Sequence, residues 1–260
     1  MIASVSRRGS VLSAAAALAA LSLSCGVAPS DSGMLESVGG APATLAPPTI
    51  NPLGRPRCQP PQGMSGSPAT IEEAVALLNA LPKPTSVACF VESLDRPLAM
   101  FVTNSAFSAQ PALSTASPRV FLKLNRLWLS IVIDGDSSYL LEFGYQTEDL
   151  RSVKGELLLP LTEALSPSAP YDRVLHDPGT VCGLCHRNEQ PDASVTFARA
   201  FTSVAFRPRP ESYVSIDSLR LEDERCDWQL EPHRCEMLAA VFDGGSVAEV
   251  PFPDSMATFF

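Results

Sequence analysis

Three side chains in one short stretch have the types and the spacing to do chemistry. In Val181-Cys182-Gly183-Leu184-Cys185-His186, two thiols stand three residues apart and an imidazole directly follows the second. On one helical turn, thiols at that spacing reach the two vinyl groups of one haem and form thioether bonds. The adjoining imidazole then lies under the iron as its proximal ligand. The same residues admit other chemistry. Two thiols in an oxidising compartment form a plain disulfide. A thioredoxin-like redox pair needs a βαβ frame, and the surrounding sequence shows none. Zinc would take Cys182, Cys185 and His186 together with Cys226, His233 or Cys235, a ligand set better suited to reducing compartments.

Thioether ligation of haem needs an exported, oxidising setting, and the start of the chain reads as an export signal. Arg7 and Arg8 form a positive region, Val11 to Leu23 is an uncharged Ala/Leu/Ser/Val run, and small residues follow. That run is shorter than the roughly 20 apolar residues of a membrane-spanning helix and fits the core of a signal peptide. Residues 1–24 are therefore expected to be a signal peptide. Ser22-Leu23-Ser24-Cys25 resembles the bacterial lipoprotein box, which implies lipidation of Cys25 and attachment to the outer membrane. Simple cleavage after a small residue is the alternative.

The motif at 182–186 resembles the attachment site of c-type cytochromes, and the resemblance covers those five residues. It implies one covalent haem c, thioether bonds from Cys182 and Cys185, and His186 as proximal iron ligand. Class I members place a distal Met downstream, often near Pro and an aromatic residue. Met256-Ala257-Thr258-Phe259, after Pro251 and Pro253, is similar. Met237 is a second candidate, and His233 or His176 would give bis-histidine ligation at lower potential. The expected function is that of a periplasmic monohaem electron carrier working with a redox partner protein. Two alternatives stand beside it: a non-catalytic exported lipoprotein with a structural Cys182–Cys185 disulfide, and a mono-haem enzyme. Di-haem peroxidases need two attachment motifs, and this chain has one.

The rest of the chain must position this motif. Residues 25–68, rich in Pro, Gly, Ser and Ala, read as a disordered tether without a hydrophobic period. Thr70-Ile71-Glu72-Glu73 is a capping box, and Ile71, Ala74, Leu77 and Leu78 share one helical face up to Pro82 and Pro84. Six short runs then have strand character: 87–91, 98–102, 120–124, 127–133, 139–143 and 153–159. The third and fourth of these, 120–124 and 127–133, turn at Asn125-Arg126. These predict a β-rich domain over 69–167, as an antiparallel sandwich or small barrel. Residues 168–260 read as short helices and loops. Val195 to Phe206 is weakly amphipathic, Ile216 to Arg225 and Glu231 to Phe242 are helical, and Gly244-Gly245 ends the last. The expected class is α+β, with the β-rich domain followed by a small, mainly helical haem domain.

The remaining cysteines are expected to pair as Cys226–Cys235 and Cys58–Cys89, one of three connectivities open to four thiols. Trp128 reads as strand packing and Trp228 as local packing. Asp134 and Asp136 read as turn residues and Glu222-Asp223-Glu224 as a solvated helix face. A formal net charge of -9 and the lack of a basic patch argue against nucleic acid as a partner. The chain has no Gly-rich phosphate loop and no His-Glu-X-X-His motif, so the residues favour a carrier over a hydrolytic enzyme.

Overall fold

The computed structural model describes residues 50, 53–148 and 150–258. The expected signal segment, Cys25 and most of the expected tether lie outside them. The described residues belong to one compact unit, and no described helix is long and apolar enough to cross a membrane.

Among the described residues ten strands form in chain order: β1 (Leu98–Thr103), β2 (Arg119–Leu124), β3 (Leu127–Val132), β4 (Leu140–Glu148), β5 (Arg151–Leu158), β6 (Leu175–His176), β7 (Gly179–Thr180), β8 (Gln190–Pro191), β9 (Phe201–Val204) and β10 (Val247–Glu249). The helices are α1 (Ile71–Ala80), α2 (Val87–Glu92), α3 (Ala169–Val174), α4 (Ile216–Glu224) and α5 (Pro232–Phe242). Eight strands make one open sheet in the order β10-β1-β2-β3-β4-β5-β9-β8, while β6 and β7 form a separate hairpin. All pairs in the large sheet are antiparallel except β1 with β10. The class is α+β. The antiparallel sandwich or barrel expected from the strand pattern is instead this single mixed sheet with helices against it.

Period-two alternation explains its two faces. Met100, Val102, Val120, Leu122, Leu129, Ile131, Leu141, Phe143 and Val153 form the core with Ile71, Leu77, Phe90, Leu238 and Val241 of the helices. Trp128, Phe101, Phe121 and Phe252 make a smaller cluster. β3 is covered on both faces, so all six of its residues are buried.

Local signals formed the elements they encode. Thr70 Oγ1 accepts from Glu73 N at 3.2 Å, and the Glu73 carboxylate accepts from Ala69 N at 2.7 Å. Asn125 turns β2 into β3 with a positive φ of 59°, which asparagine tolerates well. Arg96 donates to Ala240 O at 2.7 Å and thereby caps the end of α5. A Cβ on Gly244 would meet Arg96 Nη2 at 2.5 Å, so glycine gives the guanidinium room.

Four further expectations fail. Val87–Glu92 is a helix, because Ser86 Oγ accepts from Cys89 N at 3.1 Å and starts it. Its residues 87–91 are all buried, and a short, fully apolar run has no period to separate helix from strand. The segment 195–206 supplies strand β9, which pairs with β5. Because β9 and β10 join the sheet, no boundary between two bodies falls at 167/168. Finally, the tether's end is fastened down. Cys58 is disulfide-bonded to Cys89, Arg57 pairs with Asp243 at 2.9 Å, and Asp95 N donates to Gly66 O at 2.9 Å. Long-range pinning supplies what that segment's composition lacks.

Candidate functional site

The motif forms a single tight turn. Val181–Leu184 is a 3-10 segment, with Cys185 N donating to Cys182 O at 3.1 Å and His186 N to the same oxygen at 2.8 Å. This last bond is a helical i to i+4 contact, so the two thiols and the imidazole project from one turn. Cys58–Cys89 and Cys226–Cys235 are disulfides, whereas Cys182 and Cys185 are free thiols. The second pairing removes Cys226 and Cys235 from any zinc site. Among the described residues no group of three His, Cys, Asp or Glu side chains is placed to hold a metal ion.

Glu189 shapes the turn. Its carboxylate accepts from Thr180 N at 2.8 Å and from the Thr180 hydroxyl. A Cβ on Gly179 would lie 2.0 Å from Glu189 Oε2, and one on Gly183 2.8 Å from it. The first X of Cys-X-X-Cys is thus glycine because a carboxylate passes beside it. Val181 is 47% exposed and Leu184 80%, leaving an apolar rim around the thiols.

His186 is half-buried beside Phe206, with ring centroids 5.5 Å apart. Its Nδ1 lies 2.8 Å from the carbonyl oxygen of Val204, at the end of β9. A carbonyl only accepts, so Nδ1 carries the proton and the ring's lone pair is on Nε2. Burial, then the Lys154 charge, push the His186 pKa down to about 3, against the pull of the Val204 bond. The ring is therefore a neutral imidazole at ordinary pH. Burial likewise pushes the Cys182 thiol up to about 11, although a Thr180 hydrogen bond and the Lys154 charge oppose it. Such a thiol is no thiolate nucleophile at neutral pH, which counts against a thioredoxin-like pair.

Sequence reasoning missed what lies beneath the turn. Trp128 of β3 is opposite Gly144 of β4, and Gly144 is opposite Lys154 of β5. Directly paired residues share a face, so these three form a row on the face away from the main core. The Lys154 ammonium donates to Ser152 Oγ, and Ser152 is opposite Ser203, the residue before Val204. Burial lowers the Lys154 pKa to about 8, with Cys182 and Glu142 opposing and Arg119 adding to it. Arg119 is itself ion-paired to Glu142 on this face. Above Gly144 a Cβ would meet only Lys154 Nζ and Trp128 O, both at 3.9 Å. The Trp128 indole N–H and Ser203 Oγ are buried without hydrogen-bond partners. The strand pattern marked Trp128 only as packing and did not mark the others as a group. Trp128 pairs across to Gly144, Gly144 to Lys154 and Ser152 to Ser203, so only the sheet register brings them side by side.

The distal candidates are dispersed. Met237 is fully buried in the core on the other side of the sheet. His233 stacks on Tyr139 and lies 2.7 Å from Ser138 Oγ; that hydroxyl donates to Gly135 O, so His233 Nε2–H is the donor. His176 is exposed on the β6–β7 hairpin. Met256 packs with Trp128, Ala205 and Phe252, on the sheet face that carries Lys154. Ala205 sits between Val204 and Phe206, both of which contact His186.

Other readings also meet their structures. Asp134 Oδ1 accepts from Gly135 N at 2.8 Å, a turn role. The acidic run of α4 is not simply solvated: Glu222 pairs with Arg234 at 2.6 Å, and burial with the nearby Asp243 charge raises Asp223 to about 6. Of two surface concavities, one is lined by Tyr213, Ile216, Asp217, Arg220 and Glu249 and the other by Glu148, Arg151, Gln190, Asp192 and Thr202. Neither includes Cys182 or His186 in its wall. The chain matches no known protein family, no curated protein sequence and no solved structure.

Proposed function

We propose that this chain is an exported, c-type haem-bearing electron carrier. The observation that carries the reading is the His186 ring, held neutral with its proton on Nδ1 against Val204 O, one turn from two unbonded thiols. Imidazoles that bind metals commonly donate their other N–H to a carbonyl, which fixes the tautomer and raises ligand basicity. Cys182 and Cys185 would form the thioethers, and His186 Nε2 would be the axial ligand. The exposed Val181 and Leu184 offer the porphyrin an apolar border. Gly144, whose Cβ would meet only Lys154 Nζ and Trp128 O, lies on the same side of the sheet as the unpartnered Trp128 N–H. The bound haem would supply a one-electron ferrous/ferric cycle. Met256 is the proposed second ligand, and Met237 is set aside because it faces the opposite core. Delivery to the periplasm by residues 1–24, a lipid on Cys25 and a protein redox partner complete the proposal.

The test is expression in a host that ligates haem to exported proteins. Intact mass of the purified chain is expected to show one porphyrin adduct, absent from a Cys182→Ser, Cys185→Ser double variant. A wild-type mass without porphyrin, with the two sulfurs bonded to each other, would leave the structural-lipoprotein alternative. Met256→Leu is expected to alter the ferric absorption spectrum, and an unaltered spectrum removes Met256 as a ligand.

A further inference from the structure

We infer that Lys154 is a positioning residue whose ammonium holds the potential of the iron site high; the inference rests on the haem reading above. Four observations place the charge there. Lys154 lies in the row Trp128–Gly144–Lys154, on the sheet face away from the main core. Its hydrogen bond runs to Ser152, whose cross-strand partner Ser203 directly precedes Val204, the residue that holds the His186 ring. The ammonium interacts electrostatically with both Cys182 and His186. The carboxylate that acts on Lys154, Glu142, is ion-paired to Arg119 and so is already shared with another cation.

The sign follows from charge. Reduction takes one electron from a donor and converts ferric to ferrous iron, lowering the positive charge at the site by one. A fixed cation close by repels the ferric state more and so favours reduction. In a desolvated setting this repulsion is weakly screened. Lys123, on the same face but lying over the Trp128 ring at 5.4 Å from its centroid, is the control cation.

The experiment is a dithionite titration of holoprotein with redox mediators, followed by haem absorbance. Lys154→Met is expected to shift the ferrous/ferric equilibrium toward ferric at least tenfold, ~59 mV for a one-electron couple. Lys154→Arg is expected to restore most of the wild-type potential, and Lys123→Met to shift it less than Lys154→Met does. Lys154→Gln replaces the Met variant if that one does not fold. An unchanged potential in the neutral variants, or no rescue by Arg, overturns the inference while the porphyrin adduct leaves the haem reading standing. Absence of the adduct from wild type removes both.

Discussion

His186 owes its tautomer to a bond made by the backbone of another element. Val204 O accepts from Nδ1, and burial keeps the ring neutral. The turn itself owes its shape to Glu189, and this gives a prediction at the same scale. Gly179→Ala puts a Cβ where Glu189 Oε2 now lies, so the carboxylate must leave Thr180 N. A lost charge-assisted hydrogen bond costs about 1.5–3 kcal/mol, and thermal unfolding of the variant is expected to show a loss of that size. A melting point equal to wild type would mean that Glu189 does not brace the turn. Thr180→Val, which removes only the hydroxyl donor, is expected to cost about 1 kcal/mol.

Elements form here by local rules but settle by contact. α2 starts at Ser86, and Ser86→Ala is expected to cost about 1 kcal/mol in chemical denaturation through loss of its cap. β5 runs close under α3: a Cβ on Gly155 would approach Pro170 Cβ to 2.9 Å and its carbonyl to 3.3 Å. Backbone there cannot swing aside as a flexible side chain can. Gly155→Ala is therefore expected to destabilise by about 1–3 kcal/mol through overpacking, read as a lower denaturation midpoint. α4 and α5 meet around Asp223, whose folded pKa of about 6 is raised mainly by burial and then by Asp243. A raised carboxyl pKa means that ionisation costs more in the folded state. The penalty is full above pH 6, shrinks as pH falls, and is gone below the unfolded value near ~4. Asp223→Asn should thus stabilise the protein at pH 7, by under ~1 kcal/mol because the group is partly solvated, and give no gain at pH 4. Equal gains at both pH values would rule out this origin.

Across the whole molecule, one sheet replaces the two domains that the change of pattern after Pro167 predicts. Strands β9 and β10 arrive late in the chain and pair with β5 and β1, so the motif is mounted on the sheet rather than carried by a separate helical body. The disulfide Cys58–Cys89 closes a sequence separation of 31 and fastens the approach segment to α2. Replacing both cysteines by Ala is expected to cost roughly 2–4 kcal/mol, chiefly by freeing the unfolded chain. Urea unfolding checks this, and limited proteolysis is expected to cut near residues 55–68 in the variant first.

The amino-acid sequence by itself determined the Cys-X-X-Cys-His turn, the capped helix at 71–80, the Asn125 hairpin and the α+β class. Each rests on a few adjacent residues whose conformational preferences act over one or two turns of chain. Only the tertiary structure decided that Val87–Glu92 is a helix, that 201–204 is a strand and that the sheet is single. Short apolar runs satisfy helix and strand alike until a cap or a partner strand selects one. The same holds at the site. The thiols and the imidazole could be read from their spacing, whereas Val204, Glu189, Gly144 and Lys154 could not. Their roles exist only where strand register brings distant positions side by side.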